Sequence, residues 1–336
     1  MTHLFSSSQG KALGLVISCC LLLVSFFLSV RLGQVSVPGT MMIDAMFRFD
    51  ENSADHVIIY ERFSRAVTAA LIGSSLAVSG GLLQSLTRNP LASPGIFGIN
   101  AGALFFVVFS VVFLSLSSLP TLIWIAFGGA GIAAALVLFL GLMGADGLSP
   151  IRVVLAGTAV TALFTSLTQG MLVVNEANLD QMLLWMAGTV SGRTIDVLLP
   201  VLPLMIGALF CSFLLAKPVN ILVSGDDIAK GLGQKTVVVK LILVLIAVLL
   251  AGGSVAIGGM IGFIGLIVPH IARTLVGNDH YWLLPYCVSL GAGLLILADI
   301  IARFIISPQE MPIGIMTALI GAPFFIYIAR KGFRGE

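Results

Sequence analysis

The side chains that most often carry catalysis are too scattered in this sequence to form a reactive site. The four histidines, at positions 3, 56, 270 and 280, have no metal-ligand spacing between them, and no nucleophile motif accompanies them. The four cysteines lie inside apolar runs without a CxxC pair, as expected of packing residues rather than of a disulfide or metal framework. We therefore predict neither a catalytic site nor a metal site.

A glycine-rich string at 231–236, GLGQKT, has some likeness to a phosphate-binding loop. A Walker A motif requires glycine immediately before its lysine, but Gln234 precedes Lys235 here. The chain is thus predicted not to hydrolyse ATP by this route and to bind no cofactor of its own. If ATP drives its activity, the ATPase must be a separate polypeptide.

Charges beside the long apolar segments are stronger candidates for function. Arg62 and Arg65 lie at the start of the apolar segment 65–87. Asp299 and Arg303 lie one helical turn apart near the end of the apolar segment 281–303. Interfacial anchoring explains the first pair without any function, and mutual neutralisation of an i,i+4 pair explains the second. Ionisable groups at such depth also mark functional sites.

The loop at 217–235 contains SGDDIAKGLG, from Ser224 to Gly233. Ser224 is a residue type preferred at a helix N-cap, and the helix dipole favours the negative charge of Asp226 and Asp227 in the first turn. Gly233 suits a C-terminal stop. We predict one short exposed helix that docks on a partner, with a solvated connector as the alternative.

Two further polar patterns have weaker implications. Residues 84–98, QSLTRNPLASPGIFG, contain the turn signals Asn89-Pro90 and Pro94-Gly95 and predict a tight loop. Four threonines share one face of the fifth segment, at Thr158, Thr161, Thr165 and Thr168. They are candidates for lining a translocation path, but threonines that hydrogen-bond within or between helices give the same pattern, and we favour helix packing.

The elements that position these residues are membrane helices. Of 336 residues, 58% are hydrophobic and 10% are charged, against about 25% charged residues in a soluble domain. We predict an all-α, polytopic membrane helix bundle of about ten transmembrane helices, forming one domain over residues 1–336. The predicted segments are 12–32, 65–87, 98–116, 119–144, 150–174, 197–216, 236–256, 257–274, 281–303 and 312–330.

Glycine shapes the predicted packing. The chain has 37 glycines, many inside the apolar segments, which predicts close helix–helix contact. The glycines and Pro269 of segment 257–274 would interrupt a plain helix, and such a break is tolerated only when it is buried or faces a cavity. The second to fifth and the seventh to tenth segments run in opposite senses, as in an inverted-topology repeat.

The distribution of Lys and Arg predicts the orientation. With both termini in the cytoplasm, all lysines and five arginines lie inside, so that 11 of the 17 basic residues are cytoplasmic and 6 are outside. The outer six are Arg31, Arg48, Arg62, Arg65, Arg193 and Arg303. This places the chain in the inner or plasma membrane, spanning the lipid bilayer many times.

Several of these segments resemble the FecCD-type permeases of type II ABC importers, which take up iron-siderophores, haem and vitamin B12. The resemblance runs in order from about residue 60 to 330, through ERFSR, RNPLASPGIFG, GDDIAKGLG, GFIGLIVPHIAR, ADIIAR and MPIGIMTALIGAPFF. Two departures occur. Phe63-Ser64 replaces the family's Leu-Pro, and Asp227-Ile228 replaces Glu-Ala.

The resemblance implies roles for matched residues. Docking of an extracellular or periplasmic substrate-binding protein is implied for Arg62, Arg65 and Arg303. Coupling to a cytoplasmic ABC ATPase, which uses the ATP, is implied for Ser224, Asp226, Asp227, Ala229, Lys230, Leu232 and Gly233. A second cytoplasmic loop is implied at Arg88, Asn89 and Pro90.

The resemblance also implies a second permease copy or a paralogue as partner, and no nucleic acid. Ferric siderophore is the favoured substrate, with cobalamin or haem as the alternatives. An ion-coupled secondary transporter would need ionisable residues at mid-membrane, and a membrane scaffold would leave the charged sites at both faces unexplained.

Overall fold

The computed structural model describes residues 4–33, 41–42, 44–45, 48–50, 52–143, 150–174, 179–306 and 308–332. Residues 34–40, 43, 46–47 and 51, between the first two predicted segments, and the terminal residues 333–336 lie outside these ranges.

Fourteen α-helices and one 3₁₀ turn (Pro94–Phe97) form the regular structure of the described residues. The helices are α1 (Ser8–Arg31), α2 (Ala54–Thr87), α3 (Ile99–Leu114), α4 (Leu119–Leu142), α5 (Pro150–Val174), α6 (Leu179–Ala187), α7 (Ile195–Leu198), α8 (Leu202–Leu214), α9 (Ala216–Val223), α10 (Asp226–Gly231), α11 (Thr236–Gly258), α12 (Ile264–Val276), α13 (His280–Phe304) and α14 (Ile313–Gly332). The all-α prediction is confirmed.

The apolar helices correspond in chain order to the ten predicted segments. Six of them (α1, α2, α4, α5, α11 and α13) are long and apolar enough to cross a membrane singly, and α8 with α9 forms a seventh candidate bent by 55°. The others, α3, α12 and α14, are shorter apolar helices. Because 13 residues of α12 rise only about 20 Å against a hydrocarbon core of about 30 Å, the count of ten complete spans stays a prediction.

The loop predicted at 217–235 differs from expectation in its helices. It contains the predicted short helix as α10, and it also contains most of α9, which was not predicted. The prediction of Ser224 as N-cap is wrong, because Gly225 holds the cap position of α10 with φ 128°. Gly233 does follow the helix end in a left-handed conformation (φ 79°) and donates its N–H to the Lys230 carbonyl at 2.9 Å.

The break predicted in segment 257–274 lies between α11 and α12. Gly259 (φ 71°) begins it and Phe263 (φ 67°) ends it, whereas Pro269 lies inside α12 without ending that helix. A side chain at Gly259 would place its Cβ 2.2 Å from the Trp185 carbonyl oxygen. The broken backbone is therefore packed against protein, as the membrane environment requires.

Helix α2 lies at the centre of the bundle, against α11, α12 and α13. Its contacts depend on glycine: a Cβ at Gly73 would lie 2.2 Å from the carbonyl oxygen of Gly291, and one at Gly80 would lie 1.8 Å from that of Gly265. Backbone meets backbone at these two crossings, which confirms the predicted close packing.

The packing pairs have the reciprocity expected of the inverted repeat. Helix α2 packs on α13, and its counterpart α11 packs on α4. Likewise α2 packs on α12, and α11 packs on α3. Helices α2 and α11 also pack on each other. In the predicted repeat, α2 to α5 correspond to α11 to α14, so each of these contacts has its counterpart. Helices α1 and α5 lie at the periphery and expose large apolar side chains such as Leu21, Leu155 and Val174.

Candidate functional sites

A cleft of about 300 Å³ opens at the end of the bundle that the sequence predicts to face outward. It is formed by the first part of α2, the end of α13, the connection between α6 and α7, and the connection between α13 and α14. Its charged lining comprises Glu61, Arg62, Arg65, Arg193, Arg303 and Glu310. We call this the outer cleft.

A single buried carboxylate, Asp299, organises the floor of the outer cleft. Its side chain is 0% exposed and accepts hydrogen bonds from Nη2 of Arg65 at 2.7 Å and from Nε of Arg303 at 3.1 Å. Arg65 also donates from Nη1 to Glu310 Oε2 at 2.7 Å. The i,i+4 pair predicted from the sequence is thus present, but it is one half of a larger ion cluster.

The three arginines assigned to docking converge on the outer cleft without projecting from it. Arg303 is 2% exposed and donates from Nη1 to the Ser29 carbonyl oxygen of α1 at 2.7 Å. Arg62 is 8% exposed and donates from Nη1 to the Arg31 carbonyl oxygen at 3.2 Å. Their docking role therefore stays a prediction, and any partner has to reach into the cleft.

A second ion cluster lies at the opposite end of the bundle and is centred on Asp226 of α10. Arg88, the C-cap residue that follows α2, donates from Nη2 to Asp226 Oδ1 at 2.8 Å and to the Leu222 carbonyl oxygen at 3.0 Å. Lys240 of α11 donates from Nζ to Asp226 Oδ2. The cluster joins the short helix α10 to both central helices of the bundle.

The environment of Asp226 keeps its carboxyl ionised. Partial burial alone would raise its pKa, but the hydrogen bond and charge of Lys240, together with the charges of Arg88 and Lys230, hold that pKa below its ordinary value. The ion pair therefore persists above the ordinary pKa of an aspartate, and is lost only as the pH falls through the lowered one.

The outer face of α10 is exposed and partly apolar. Ala229 is fully buried against the bundle, whereas Ile228 is 56% and Leu232 is 68% exposed, and Asp227 is exposed beside them. Large apolar side chains on an otherwise polar connector are typical of an interaction surface.

The loop after α2 has the predicted turn. Asn89 accepts the Leu91 N–H through its side-chain oxygen at 2.9 Å, and its carbonyl accepts the Ala92 N–H at 3.1 Å. Arg88 ends α2 in a left-handed conformation, with φ 50°. The turn presents Asn89 and Pro90 beside the second ion cluster.

The four threonines of α5 do not form one uniform surface. Thr158 is exposed and Thr168 is buried, and their hydroxyls donate to carbonyls of the same helix, Leu155 at 2.8 Å and Phe164 at 2.7 Å. Thr161 and Thr165 are half-buried. Gln169, which was not among the predicted site residues, is exposed on the same side as Thr158 and Thr165.

Arg193 and Glu310 also line the outer cleft, although neither was predicted as a site residue. Both lie in connections between helices and belong to no local pattern. Their approach to α2 and α13 depends on the tertiary fold, which no short stretch of the sequence reveals.

Comparisons with known proteins agree on one family. The model of the FecCD transport family matches residues 21–331. The probable siderophore transport system permease protein YfiZ of Bacillus subtilis (strain 168) is 49% identical over 97% of this chain and 98% of its own length. The iron(3+)-hydroxamate import system permease protein FhuB of the same organism is 42% identical over 98% of this chain and 86% of its own.

A solved structure has the same fold. It is described as an inward-facing conformation of a metal-chelate type ABC transporter, and its chain superposes with a TM-score of 0.83 at 29% sequence identity. The superposition covers 94% of this chain and 98% of the other.

Proposed function

This chain belongs to the FecCD transport family, and we propose that it is the permease subunit of a binding-protein-dependent ABC importer that takes up ferric siderophores. The observation that carries the substrate is the 49% identity, over nearly the whole chain, to a protein named as a siderophore permease. The permease is the membrane subunit and is not itself catalytic. We assign ATP hydrolysis to a separate ABC ATPase.

We assign docking of the substrate-binding protein to the outer cleft. Four arginines meet there at the predicted outer end of the bundle. Positive charge on one partner and acidic side chains on the other would set the register and the association rate of docking. Because Arg62, Arg65 and Arg303 are largely buried, the cleft would act as a receptor for inserted side chains.

We assign coupling to α10 and the turn at 88–90. The exposed face of α10, with Asp227, Ile228 and Leu232, would sit on the ATPase. Asp226 would transmit the movement of α10, because it is bonded to Arg88 at the end of α2 and to Lys240 of α11. The ATPase would therefore act on the two central helices at once.

We assign the partner permease, either a second copy or a paralogue, to the exposed face of α5. Thr158 and Gln169 are exposed there in the single chain. A polar amide facing hydrocarbon is costly, so protein or a water-filled path would cover this face. Substrate would then pass between two bundles that open alternately to the two sides of the membrane.

Uptake in cells tests the proposal. Cells lacking this chain and all redundant importers would be given labelled ferric hydroxamate, ferric catecholate, haem or cobalamin, and then complemented with the wild-type chain. We expect uptake of a ferric siderophore, and its loss when the ATPase partner carries an inactivated Walker A lysine. Uptake of haem or cobalamin alone would show that the substrate is not a ferric siderophore but another compound that the family imports. Uptake that survives loss of the ATPase would contradict an ABC mechanism.

A further inference from the structure

Helix α9 is fastened to the start of α13 by the side chain of Asn220. Its Oδ1 accepts the backbone N–H of His280 at 2.9 Å and lies 2.7 Å from Nδ1 of the same histidine. Its Nδ2 donates to Oδ1 of Asp279 at 2.7 Å. Asp279 is the N-cap of α13 and accepts the Tyr281 N–H at 3.1 Å. One amide side chain therefore holds the first turn of α13 at three points.

The donors and acceptors of this contact fix the orientation of the Asn220 amide. A carboxylate accepts and a backbone N–H donates, so the two ends of the amide cannot exchange places between Asp279 and His280. Nδ1 of His280 must then be the protonated nitrogen, because it faces the amide oxygen. On the other side of the ring, Nε2 is hydrogen-bonded to the hydroxyl of Ser85 in α2 at 2.6 Å. Asn220, His280 and Ser85 thus join α9, α13 and α2.

Burial makes these hydrogen bonds difficult to break. His280 is 1% and Ser85 is 6% exposed, and on α9 the neighbours Val219 and Leu222 are buried as well. In such surroundings, a donor or acceptor that loses its partner gains no water in return. A movement of α9 away from α13 would break all three contacts of Asn220 at once. We therefore expect the first turn of α13 to follow α9.

The two helices joined by Asn220 lead to different functional regions. Helix α9 is separated from α10 only by Ser224 and Gly225, and we assign the exposed face of α10 to the ATPase. Helix α13 has 25 residues, a length of about 37 Å, and carries Asp299 and Arg303 near its other end. The contact at Asn220 therefore lies between the surface assigned to the ATPase and the helix that supports the outer cleft.

We propose that Asn220 is a positioning residue of the transport cycle, which fastens α9 to α13 so that movement of α10 reaches the outer cleft through α13. The ion pairs of Asp226 link α10 to the end of α2 and to α11, so the Asn220 contact is a second attachment with a different target. A contact that served folding alone would alter stability but not the coupling of ATP hydrolysis to import. This inference rests on the proposed function.

The test is the number of substrate molecules imported per ATP hydrolysed, measured for the permease–ATPase complex in proteoliposomes with the loaded binding protein. We expect Asn220→Ala to lower this ratio roughly 5-fold or more. The affinity of the ATPase for the permease should not change, because the exposed face of α10 is not altered. The matched control is Asn278→Ala, since Asn278 is exposed and its side chain makes no hydrogen bond within the described part of the chain. An unchanged ratio in an assembled Asn220→Ala complex would overturn the inference.

An exchange of two side chains separates the contact from the stability of the fold. Asn220→Asp alone places a second carboxylate against Asp279 and should lower the ratio, because the like charges repel. Adding Asp279→Asn gives one carboxylate and one amide again in the opposite order, and asparagine also serves as an N-cap for α13. We expect the double variant to recover most of the wild-type ratio. A double variant that does not assemble, or that assembles without recovery, would overturn the inference.

A combination with Asp226→Asn tests whether the two attachments are separate. If they are, the factors by which Asn220→Ala and Asp226→Asn lower the ratio should multiply in the double variant. A double variant no worse than the more affected single variant would show one shared attachment and overturn the inference. A wild-type complex without ATP-driven import would instead overturn the proposed function.

Discussion

At the scale of single residues, the outer cleft is built around a carboxylate that solvent does not reach. The spacing of Asp299 and Arg303 was enough to predict that they pair. The second partner, Arg65, lies 234 positions earlier in the chain, and no local pattern could connect it with Asp299. The sequence thus identifies the charged residues that are candidates for function, while the tertiary fold determines which of them form ion pairs.

Replacing Asp299 by Asn should destabilise the fold more than any exposed charge change. It would leave the buried guanidinium groups of Arg65 and Arg303 without their shared carboxylate, at a cost of about 3–5 kcal/mol. Thermal unfolding of the detergent-solubilised chain measures the effect. The control is Glu310→Gln, because Glu310 is 34% exposed and its one ion pair among the described residues is with Arg65, so its loss should cost about 1 kcal/mol or less. Equal effects of the two changes would contradict a central role for Asp299.

At the scale of elements, apolar length predicted the long helices well and the short ones poorly. The break between α11 and α12 was predictable from the sequence, because several glycines lie close together there. Helix α9 was not predictable in this way, because it follows α8 through a bend of 55°. Helix α10 has only six residues and depends on tertiary contacts such as the Asp226 ion pairs, because so short a helix is not stable alone.

Gly80→Ala tests the backbone crossing of α2 and α12. The added Cβ would lie 1.8 Å from the Gly265 carbonyl oxygen, so the helices must separate, at a cost of about 1–3 kcal/mol or more. The control is Gly131→Ala in α4, where a Cβ meets nothing within 4 Å and helix propensity improves. Reconstituted transport and thermal unfolding report both variants. A Gly80→Ala chain as stable as the Gly131→Ala chain would disprove the tight crossing.

Asp226→Asn tests the attachment of α10 to the central helices. Without the carboxylate, α10 loses its ion pairs to Arg88 and Lys240. We expect uptake per ATP hydrolysed to fall roughly 5-fold or more, and the defect to be constant across neutral pH because the wild-type carboxyl is ionised throughout. Asp227→Asn is the control for the attachment, since Asp227 is exposed and has no ion pair in the described part of the chain. Its replacement should alter ATPase binding rather than the coupling ratio.

At the scale of the whole molecule, one surface of the chain is unsuited to lipid. Helix α5 is largely exposed, but it carries Thr158 and Gln169 on one side and Leu163 on another. The threonine pattern was visible in the sequence. Its division into buried and exposed members depends on how α5 turns against its neighbours α3 and α4.

A photo-crosslinker attached at Gln169→Cys, in a chain with its four cysteines replaced, tests which surface meets the partner permease. We expect a crosslink to a second permease subunit, whose mass would distinguish a copy of this chain from a paralogue. The same probe at Leu163→Cys, about a third of a turn away, should label lipid. Subunit crosslinking from Leu163 and not from Gln169 would place the interface elsewhere.

Helix α2 joins the two ion clusters in one element of 34 residues, with Arg65 near its outer end and Arg88 directly after its last residue. Helix α2 is about 51 Å long, and the ion clusters fix it near both of its ends. If nucleotide binding to the ATPase changes the binding free energy at the outer cleft through α2, docking at the cleft must change the binding free energy of the nucleotide by the same amount, because coupling between two binding sites is reciprocal. A docked binding protein should therefore change the affinity of the ATPase for nucleotide by the same factor by which nucleotide changes the affinity for the binding protein.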